Sequence, residues 1–144
     1  MKLVIQRVNH ASVTIDGTKT SEINKGLLVF AGFCNEDTKE GIIKVVDKIV
    51  KLRIFEDESG KTNLSINDVN GSLMIVSQFT LYANCKKGNR PSFENAGSPA
   101  LAEELYNFMI DYASTKGLTV MHGEFGADMK IMLENDGPFT VLLP

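Results

Sequence analysis

The stretch "GLLVFAGF" at residues 26–33 indicates the kind of fold that this chain adopts. It is a continuous apolar run with a glycine near each end, and it is short for a helix. Runs of this kind are typical of a strand that is buried on both faces. We therefore expect a sheet that contains this strand in its interior.

Further strands are predicted on both sides of this run. Residues 2–8 and 11–15 are rich in β-branched side chains, and the Asp16-Gly17 pair that follows them is a strong hairpin signal. Residues 53–63 predict a short strand and a polar turn. The remaining strand patterns lie at 71–83, which is the most apolar, and at 118–123, 128–134 and 139–143.

Two segments change to the helical period. The first follows Thr38, which can cap its start, and the second opens at Ser98-Pro99 and ends at Gly117. Their apolar stripes are Ile42, Val45, Val46, Ile49 and Leu52, and then Leu101, Leu105, Phe108, Met109 and Tyr112. Two helices against many strands, without strict βα alternation, predict a mixed α/β fold with curled, barrel-like sheets.

The bulk properties exclude several classes of protein. A length of 144 residues predicts a single domain over 1–144. No apolar run approaches the roughly 20 residues of a membrane span, and the N-terminus is typical of a first strand and not of a signal peptide. We therefore expect a cytoplasmic protein that does not associate with membranes. The cysteines and histidines, two of each, stand in no metal-binding spacing, so no metal and no other cofactor is expected.

Charge is low overall but uneven along the chain. A net charge of −3 argues against sequence-blind binding to long nucleic acid such as DNA. Residues 82–93, however, carry Lys86, Lys87 and Arg90 and no acid. A solvated loop explains this pattern, and so does a local phosphate contact.

Conventional side-chain catalysis has little support in the sequence. A Ser-His-Asp triad needs a histidine beside the nucleophile, and the chain offers only His10 and His122. There is no phosphate-binding P-loop and no dinucleotide fingerprint. Acids are plentiful, but none forms a recognisable catalytic pair.

Polar residues appear where the most apolar strand ends, in "SQFTL" at 77–81. Strand ends hold rigid backbone with unpaired N–H groups, and such groups can stabilise an oxyanion. Ser77 or Thr80 is alternatively a nucleophile, although neither has a visible base. A plain strand terminus is the third interpretation.

The dipeptide Gly137-Pro138 lies in "NDGPFT" at 135–140. A proline restricts the residue before it, and glycine evades that restriction. Only about 5–6% of X–Pro bonds in folded proteins are cis, so the sequence alone leaves the isomer open.

Four segments in combination resemble the D-aminoacyl-tRNA deacylase family. They are "SQFTL" at 77–81, "RPSF" at 90–93, "FGADM" at 125–129 and "NDGPFT" at 135–140, and the opening "IQRVNHASVTIDG" and "GLLVFAGF" agree with them. The resemblance spans nearly the whole chain and implies the fold of that family.

The resemblance implies an editing hydrolase that cleaves the ester bond of D-aminoacyl-tRNA to free D-amino acid and tRNA. It further implies a homodimer in which Gly137-Pro138 is cis, enters the active site of the other subunit and excludes an L side chain. Glycine has no side chain to exclude, so glycyl-tRNA with an alanine anticodon is a second expected substrate.

The resemblance also implies the roles of individual residues. The backbone N–H of Phe79 becomes an oxyanion donor, and the 2′-OH of the tRNA activates water. The remaining site residues are Ser77, Gln78 and Thr80 around the pocket, Arg7, Phe125 and Met129 as pocket or adenosine contacts, and Lys86, Lys87 and Arg90 for the phosphates of the acceptor end.

One position departs from the family pattern. Phe139 follows Gly137-Pro138 where many members have a smaller β-branched residue. A related branch with relaxed chirality has Pro and Ala in place of Ser77 and Phe79, so this chain is placed in the D-specific group.

Two other functions stay open at this point. One is an esterase for small substrates that forms an acyl-enzyme on Thr80. The other is a non-catalytic module that binds RNA 3′ ends through the basic loop and Phe93.

Overall fold

Residues 1–144 are described by the computed structural model, and most of them lie in a mixed sheet and two helices that pack against it. The elements in chain order are β1 (Lys2–Ile15), β2 (Thr18–Ile23), β3 (Gly26–Gly32), α1 (Lys39–Lys51), β4 (Phe55–Glu56), β5 (Thr62–Leu64), β6 (Ser72–Ser77), a 3₁₀ helix (Phe79–Tyr82), α2 (Pro99–Ala113), β7 (Val120–His122) and β8 (Lys130–Leu143). The main sheet has the order β2-β1-β3-β6-β7 with β8 beside β1, and β4 and β5 form a separate ribbon.

The long strand β1 determines how the sheet curls. Its first half pairs with β3 and its second half pairs with β2, both antiparallel, while β8 runs antiparallel along it from Leu3 to Thr14. Strands β3, β6 and β7 are parallel neighbours, so the sheet is mixed. The predicted α/β fold with two helices and a curled sheet is confirmed.

Both faces of the sheet are apolar, as predicted for residues 26–33. One face packs against the helices in a cluster of 20 buried residues that includes Ile5, Val29 and Ile75. The other face encloses a smaller cluster of 7 buried residues that includes Leu28 and Met74. Each such side chain stabilises the fold by about 1.5–3 kcal/mol when it leaves water.

The helices agree with their predicted starts but not with both predicted ends. The Thr38 hydroxyl accepts a hydrogen bond from Gly41 N at 3.1 Å, as expected for a cap. Ser98 occupies the cap position of α2 without a side-chain hydrogen bond. Helix α2 ends at Ala113, and the prediction that it continues to Gly117 is wrong. Neither helix has the length and apolar character needed to cross a membrane.

Two strand predictions are also corrected. The strand predicted at 71–83 ends at Ser77, because its partner β3 ends at Gly32 and the next carbonyl, Phe33 O, is already bonded to Gly97 N. The chain then turns into the 3₁₀ helix. The strands predicted at 128–134 and 139–143 are one strand, β8, because both segments pair with β1.

Two glycines offer a test of this packing. An added Cβ at Gly26 would lie 1.8 Å from the backbone oxygen of Ser72, so β3 and β6 would have to separate. An added Cβ at Gly41, in α1, would meet nothing closer than 3.5 Å. We expect Gly26→Ala to lower the free energy of unfolding by about 3 kcal/mol or more, and Gly41→Ala to raise it by about 0.5–1 kcal/mol.

Urea unfolding followed by circular dichroism measures both changes. Equal urea midpoints for the two variants would contradict the close approach of β3 and β6 at Gly26.

Candidate active site

A cavity of about 550 Å³ opens where β6 ends, and we call it the main cavity. Its walls come from the end of β6 and the first residue of the 3₁₀ helix, from the start of α2, and from the loop before β8. The lining residues are Val76, Ser77, Gln78, Phe79, Ala96, Gly97, Pro99, Ala102, Phe125, Gly126, Ala127, Asp128, Met129 and Ile131. The structure thus brings the segments 77–79 and 125–129 together around one space.

Backbone hydrogen bonds hold the rim of the main cavity. Gln78 N donates to Ala31 O at 2.8 Å, which ties the end of β6 to β3. The 3₁₀ helix lies close against Gly32, where an added Cβ would come within 2.8 Å of Gln78 O. On the opposite wall, Gly97 N donates to Phe33 O at 2.8 Å. The rim is therefore rigid backbone and does not depend on long side chains.

Unpaired backbone donors stand at this rim. The N–H groups of Phe79 and Thr80 have no acceptor within the chain. The Phe79 side chain is 56% exposed, and its ring meets Phe93 edge-on at a centroid distance of 5.0 Å. A free N–H in a fixed position can stabilise negative charge on a substrate oxygen.

Thr80 lies beside the main cavity without a general base. Its Oγ1 accepts a hydrogen bond from Gln78 Nε2, and no histidine or carboxylate contacts it. The only ionisable residue that lines the cavity is Asp128, which is 85% exposed and pairs with Lys130 at 3.0 Å. The geometry gives no support to a threonine nucleophile, because nothing is placed to remove its proton.

Buried residues beneath the cavity position its aromatic wall. The Tyr106 hydroxyl donates to Ile75 O at 2.9 Å, and its ring lies 6.0 Å from that of Phe125. Burial raises the pKa of Tyr106, so the phenol remains a donor and is not a base. An added Cβ at Gly123 would lie 2.5 Å from Met129 Sδ, so this glycine makes room for Met129. The sequence offers no local signal for Tyr106 or Gly123, because each acts through residues distant in the chain.

The dipeptide Gly137-Pro138 lies in a bulge of β8 and not in a reversal of the chain. Gln6 pairs with Thr140 and Val8 with Asn135, so residues 136–139 face Arg7 alone, and we call these four residues the bulge. The Gly137-Pro138 peptide bond is cis, and both residues are exposed.

Arg7 supports the bulge from below. Its side chain is buried, its Nη1 donates to Ile54 O at 2.8 Å, and its Nε donates to Asp136 O at 3.1 Å. Its Nε also lies 3.3 Å from the Asp136 carboxylate, and its guanidinium stacks over Phe139 at 4.8 Å. The structure therefore places Arg7 with the bulge, whereas Phe125 and Met129 line the main cavity.

Asn135 holds the two ends of the bulge together. Its Nδ2 donates to Arg7 O at 2.9 Å and to Phe139 O at 3.0 Å, and Thr140 Oγ1 donates to its Oδ1 at 3.4 Å. Asparagine at the start of a turn-like segment is a recognisable signal for such local bonds. None of the residues 135–140 lines the main cavity of the same chain.

The basic loop after the 3₁₀ helix is closed by Asn84 and Ser92, which exchange backbone hydrogen bonds of 2.8 and 3.0 Å. Lys86, Lys87 and Arg90 are exposed, and none of them forms an ion pair. No group of three or more metal-ligating side chains occurs in the fold.

Comparisons with known proteins agree with this geometry. The family model for D-Tyr-tRNA(Tyr) deacylase matches residues 4–144. A D-aminoacyl-tRNA deacylase of Lactobacillus delbrueckii subsp. bulgaricus is 55% identical over 143 residues, with 99% of each chain covered. One of Clostridioides difficile is 50% identical, with 99% of this chain and 96% of the relative covered.

Two solved structures are similar over the full fold. One is described as a c-Myc DNA unwinding element binding protein, with a TM-score of 0.94, 41% identity, and coverage of 100% of this chain and 98% of that one. The other is described as a probable eukaryotic D-amino acid tRNA deacylase, with a TM-score of 0.86, 16% identity, and coverage of 99% and 97%. The second likeness concerns the fold alone.

Proposed function

Because this chain belongs to the D-Tyr-tRNA(Tyr) deacylase family, a family of hydrolases, we propose that it removes D-amino acids from tRNA and rejects L-aminoacyl-tRNA through Gly137-Pro138 of a partner subunit. The observation that carries the chemistry is the unpaired N–H of Phe79 at the wall of the main cavity. That cavity contains no paired nucleophile and base, so the donor must act on a substrate that is already reactive. An aminoacyl ester meets this requirement.

The main-chain donor stabilises the charge that develops during hydrolysis. Water adds to the ester carbonyl carbon, negative charge collects on the carbonyl oxygen, and this oxygen accepts the hydrogen bond from Phe79 N. The intermediate then breaks its bond to the ribose 3′ oxygen, which takes a proton and leaves as the tRNA hydroxyl. The 2′-OH of the terminal ribose lies beside the ester and assists the water, while Ser77, Gln78 and Thr80 shape the space around it.

The filter acts between subunits in this proposal. The bulge does not reach the main cavity of its own chain, yet both Gly137 and Pro138 are exposed. The three large apolar side chains that the fold leaves exposed are Phe79 in the cavity, and Met132 and Leu142 on the two sides of the bulge. A symmetric homodimer that seats each bulge in the other cavity covers all three, and such closed two-fold contacts are the commonest assembly.

The Gly137-Pro138 filter also determines which aminoacyl-tRNAs are accepted as substrates. It excludes an L side chain at the α-carbon and makes no contact that identifies a D side chain. Glycyl-tRNA(Ala) therefore passes as well, because glycine has no side chain to exclude. Phe125 and Met129 form the wall against which the terminal adenosine packs.

Only the acceptor end of tRNA needs to be held. Lys86, Lys87 and Arg90 are the cations that contact its phosphates, and the net charge of −3 disfavours a long nucleic-acid footprint. We therefore favour the tRNA end over duplex DNA as the partner, although one similar structure is described as DNA-binding.

The substrate is present where tRNA is aminoacylated, and we propose that the protein acts there, in the cytoplasm. The proposed reaction involves no cofactor.

Hydrolysis of D-tyrosyl-tRNA and L-tyrosyl-tRNA, followed side by side, tests this function. We expect the wild type to remove the D-ester rapidly and to leave the L-ester at the uncatalysed rate. Thr80→Ala, which removes the hydroxyl but keeps the backbone N–H, should retain most of the activity on the D-ester.

The alternatives make different predictions in the same experiment. A threonine nucleophile predicts complete loss of activity in Thr80→Ala and a trapped acyl-enzyme in the wild type. A non-catalytic binding module predicts tight tRNA binding and no turnover of either ester. Equal hydrolysis of the two esters would contradict the Gly137-Pro138 filter.

A further inference from the structure

A second cavity, of about 270 Å³, lies at the far end of the 3₁₀ helix from Phe79. Its lining includes Lys2, Tyr82, Asn84, Lys86 and Asn95, and we call it the lysine cavity. Lys2 begins β1 and Tyr82 ends the 3₁₀ helix, so the cavity is built on the same end of the sheet as the main cavity.

The lysine cavity is equipped for an anion. No carboxylate lines it, and neither Lys2 nor Lys86 forms an ion pair. Lys2 Nζ is held 4.7 Å from the centre of the Tyr82 ring, and Asn84 Oδ1 accepts a hydrogen bond from Lys86 N at 3.1 Å. Burial raises the pKa of Tyr82, so its phenol is neutral and does not repel an anion.

Asp37 and Glu36 are the acids whose charges act on Tyr82, and neither forms an ion pair with Lys2 or Lys86. Asp37 binds the amino group of Met1 and also accepts a hydrogen bond from Cys34 N at 2.8 Å. Glu36 is exposed and makes no ion pair. A lysine acts on a phosphate as a point charge and needs no fixed geometry, which suits two flexible side chains at one opening.

The 3₁₀ helix connects the two cavities, because its first residue, Phe79, lines the main cavity and its last, Tyr82, lines the lysine cavity. Phe79 and Tyr82 are separated by one turn of 3₁₀ helix, a rise of about 6 Å. We propose that the lysine cavity binds the phosphate that joins the terminal adenosine to the preceding nucleotide of the acceptor strand. This inference rests on the proposed function, and it adds Lys2 to the residues that hold tRNA.

Three small substrates separate the contribution of this phosphate to binding from that of the rest of the tRNA. The D-tyrosyl ester of adenosine lacks it, the D-tyrosyl ester of the dinucleotide CpA has it, and the same dinucleotide with a methylphosphonate linkage has the shape without the charge. We expect Lys2→Gln and Lys86→Gln each to raise KM for the CpA ester about fivefold, and about 25-fold together, with kcat unchanged. KM for the adenosine and methylphosphonate esters should not change.

Salt dependence and a distant lysine provide the controls. The slope of log KM against log salt for the CpA ester should fall by at most about 0.7 when both lysines are removed, because this substrate has a single phosphate. Lys44→Gln, on an exposed position of α1, should leave all three substrates unaffected.

Two results would overturn the inference. An equal rise of KM for the charged and the neutral esters would show that the lysines do not act on this phosphate, and no rise would show that they do not touch the strand. If the wild type hydrolyses none of the three esters and no D-tyrosyl-tRNA, the proposed function itself fails. The two failures are therefore distinguishable.

Discussion

Replacing Phe79 with proline is expected to lower kcat for D-tyrosyl-tRNA by about 100- to 1000-fold, which is the usual cost of losing one oxyanion donor. Proline has no N–H, so the substitution removes the unpaired donor of a residue that lines the main cavity. The position suits proline, because Phe79 is the first residue of the 3₁₀ helix and Gln78 before it lies outside the helical region, with φ −148° and ψ 84°.

Phe79→Ala is the matched control for this prediction. It removes the same ring and the same contact with Phe93 but keeps the N–H. We expect it to raise KM and to change kcat little, and the ratio of the two variants isolates the donor. Equal kcat values for Phe79→Pro and Phe79→Ala, at equal melting temperatures, would show that this N–H is not an oxyanion donor.

The second large effect concerns chirality. Gly137 has φ +134°, and an added Cβ would lie 3.0 Å from Phe139 N and 3.2 Å from Arg7 Nη2. Gly137→Ala must therefore shift the bulge, because these contacts are too short by a few tenths of an ångström and an L side chain rarely adopts this φ. Misplacing a group that contacts the reacting centre can cost about 100-fold. We expect the ratio of D-ester to L-ester hydrolysis to fall about 100-fold or more, measured on tyrosyl-tRNA.

Mixed dimers decide whether the filter acts between subunits. Phe79→Pro has a defective cavity and an intact bulge, whereas Gly137→Ala has an intact cavity and a defective bulge. If the bulge acts in trans, subunit exchange creates one complete site in each mixed dimer, and selective D-ester hydrolysis returns. No recovery in dimers shown to be mixed would place the filter within one chain.

The parts of the fold that were predicted from the sequence depend on short-range patterns. The buried strand at 26–33, the hairpin at Asp16-Gly17 and the helix after Thr38 are each encoded by neighbouring residues. Asp16 and Gly17 have positive φ, as the hairpin signal requires. These elements therefore agree with the structure.

The features that the sequence did not reveal depend on distant partners. The strand predicted at 71–83 is shorter in the structure, because its end depends on where its partner β3 ends. Residues 128–134 and 139–143 were predicted as two strands and form one, because the pairing of both segments with β1 is a long-range property. The contacts of Arg7 with Ile54 and Asp136 span 47 and 129 residues of sequence, so no local pattern could place that side chain.

The free N–H of Phe79 also bears on how this protein tolerates mutation. A donor that belongs to the main chain is present in every genetically encoded residue except proline, so most missense changes at this codon leave it in place. No single nucleotide change converts a phenylalanine codon into a proline codon. A single nucleotide change in this codon therefore cannot remove the proposed oxyanion donor. Substitutions at position 79 should change substrate affinity before they abolish turnover.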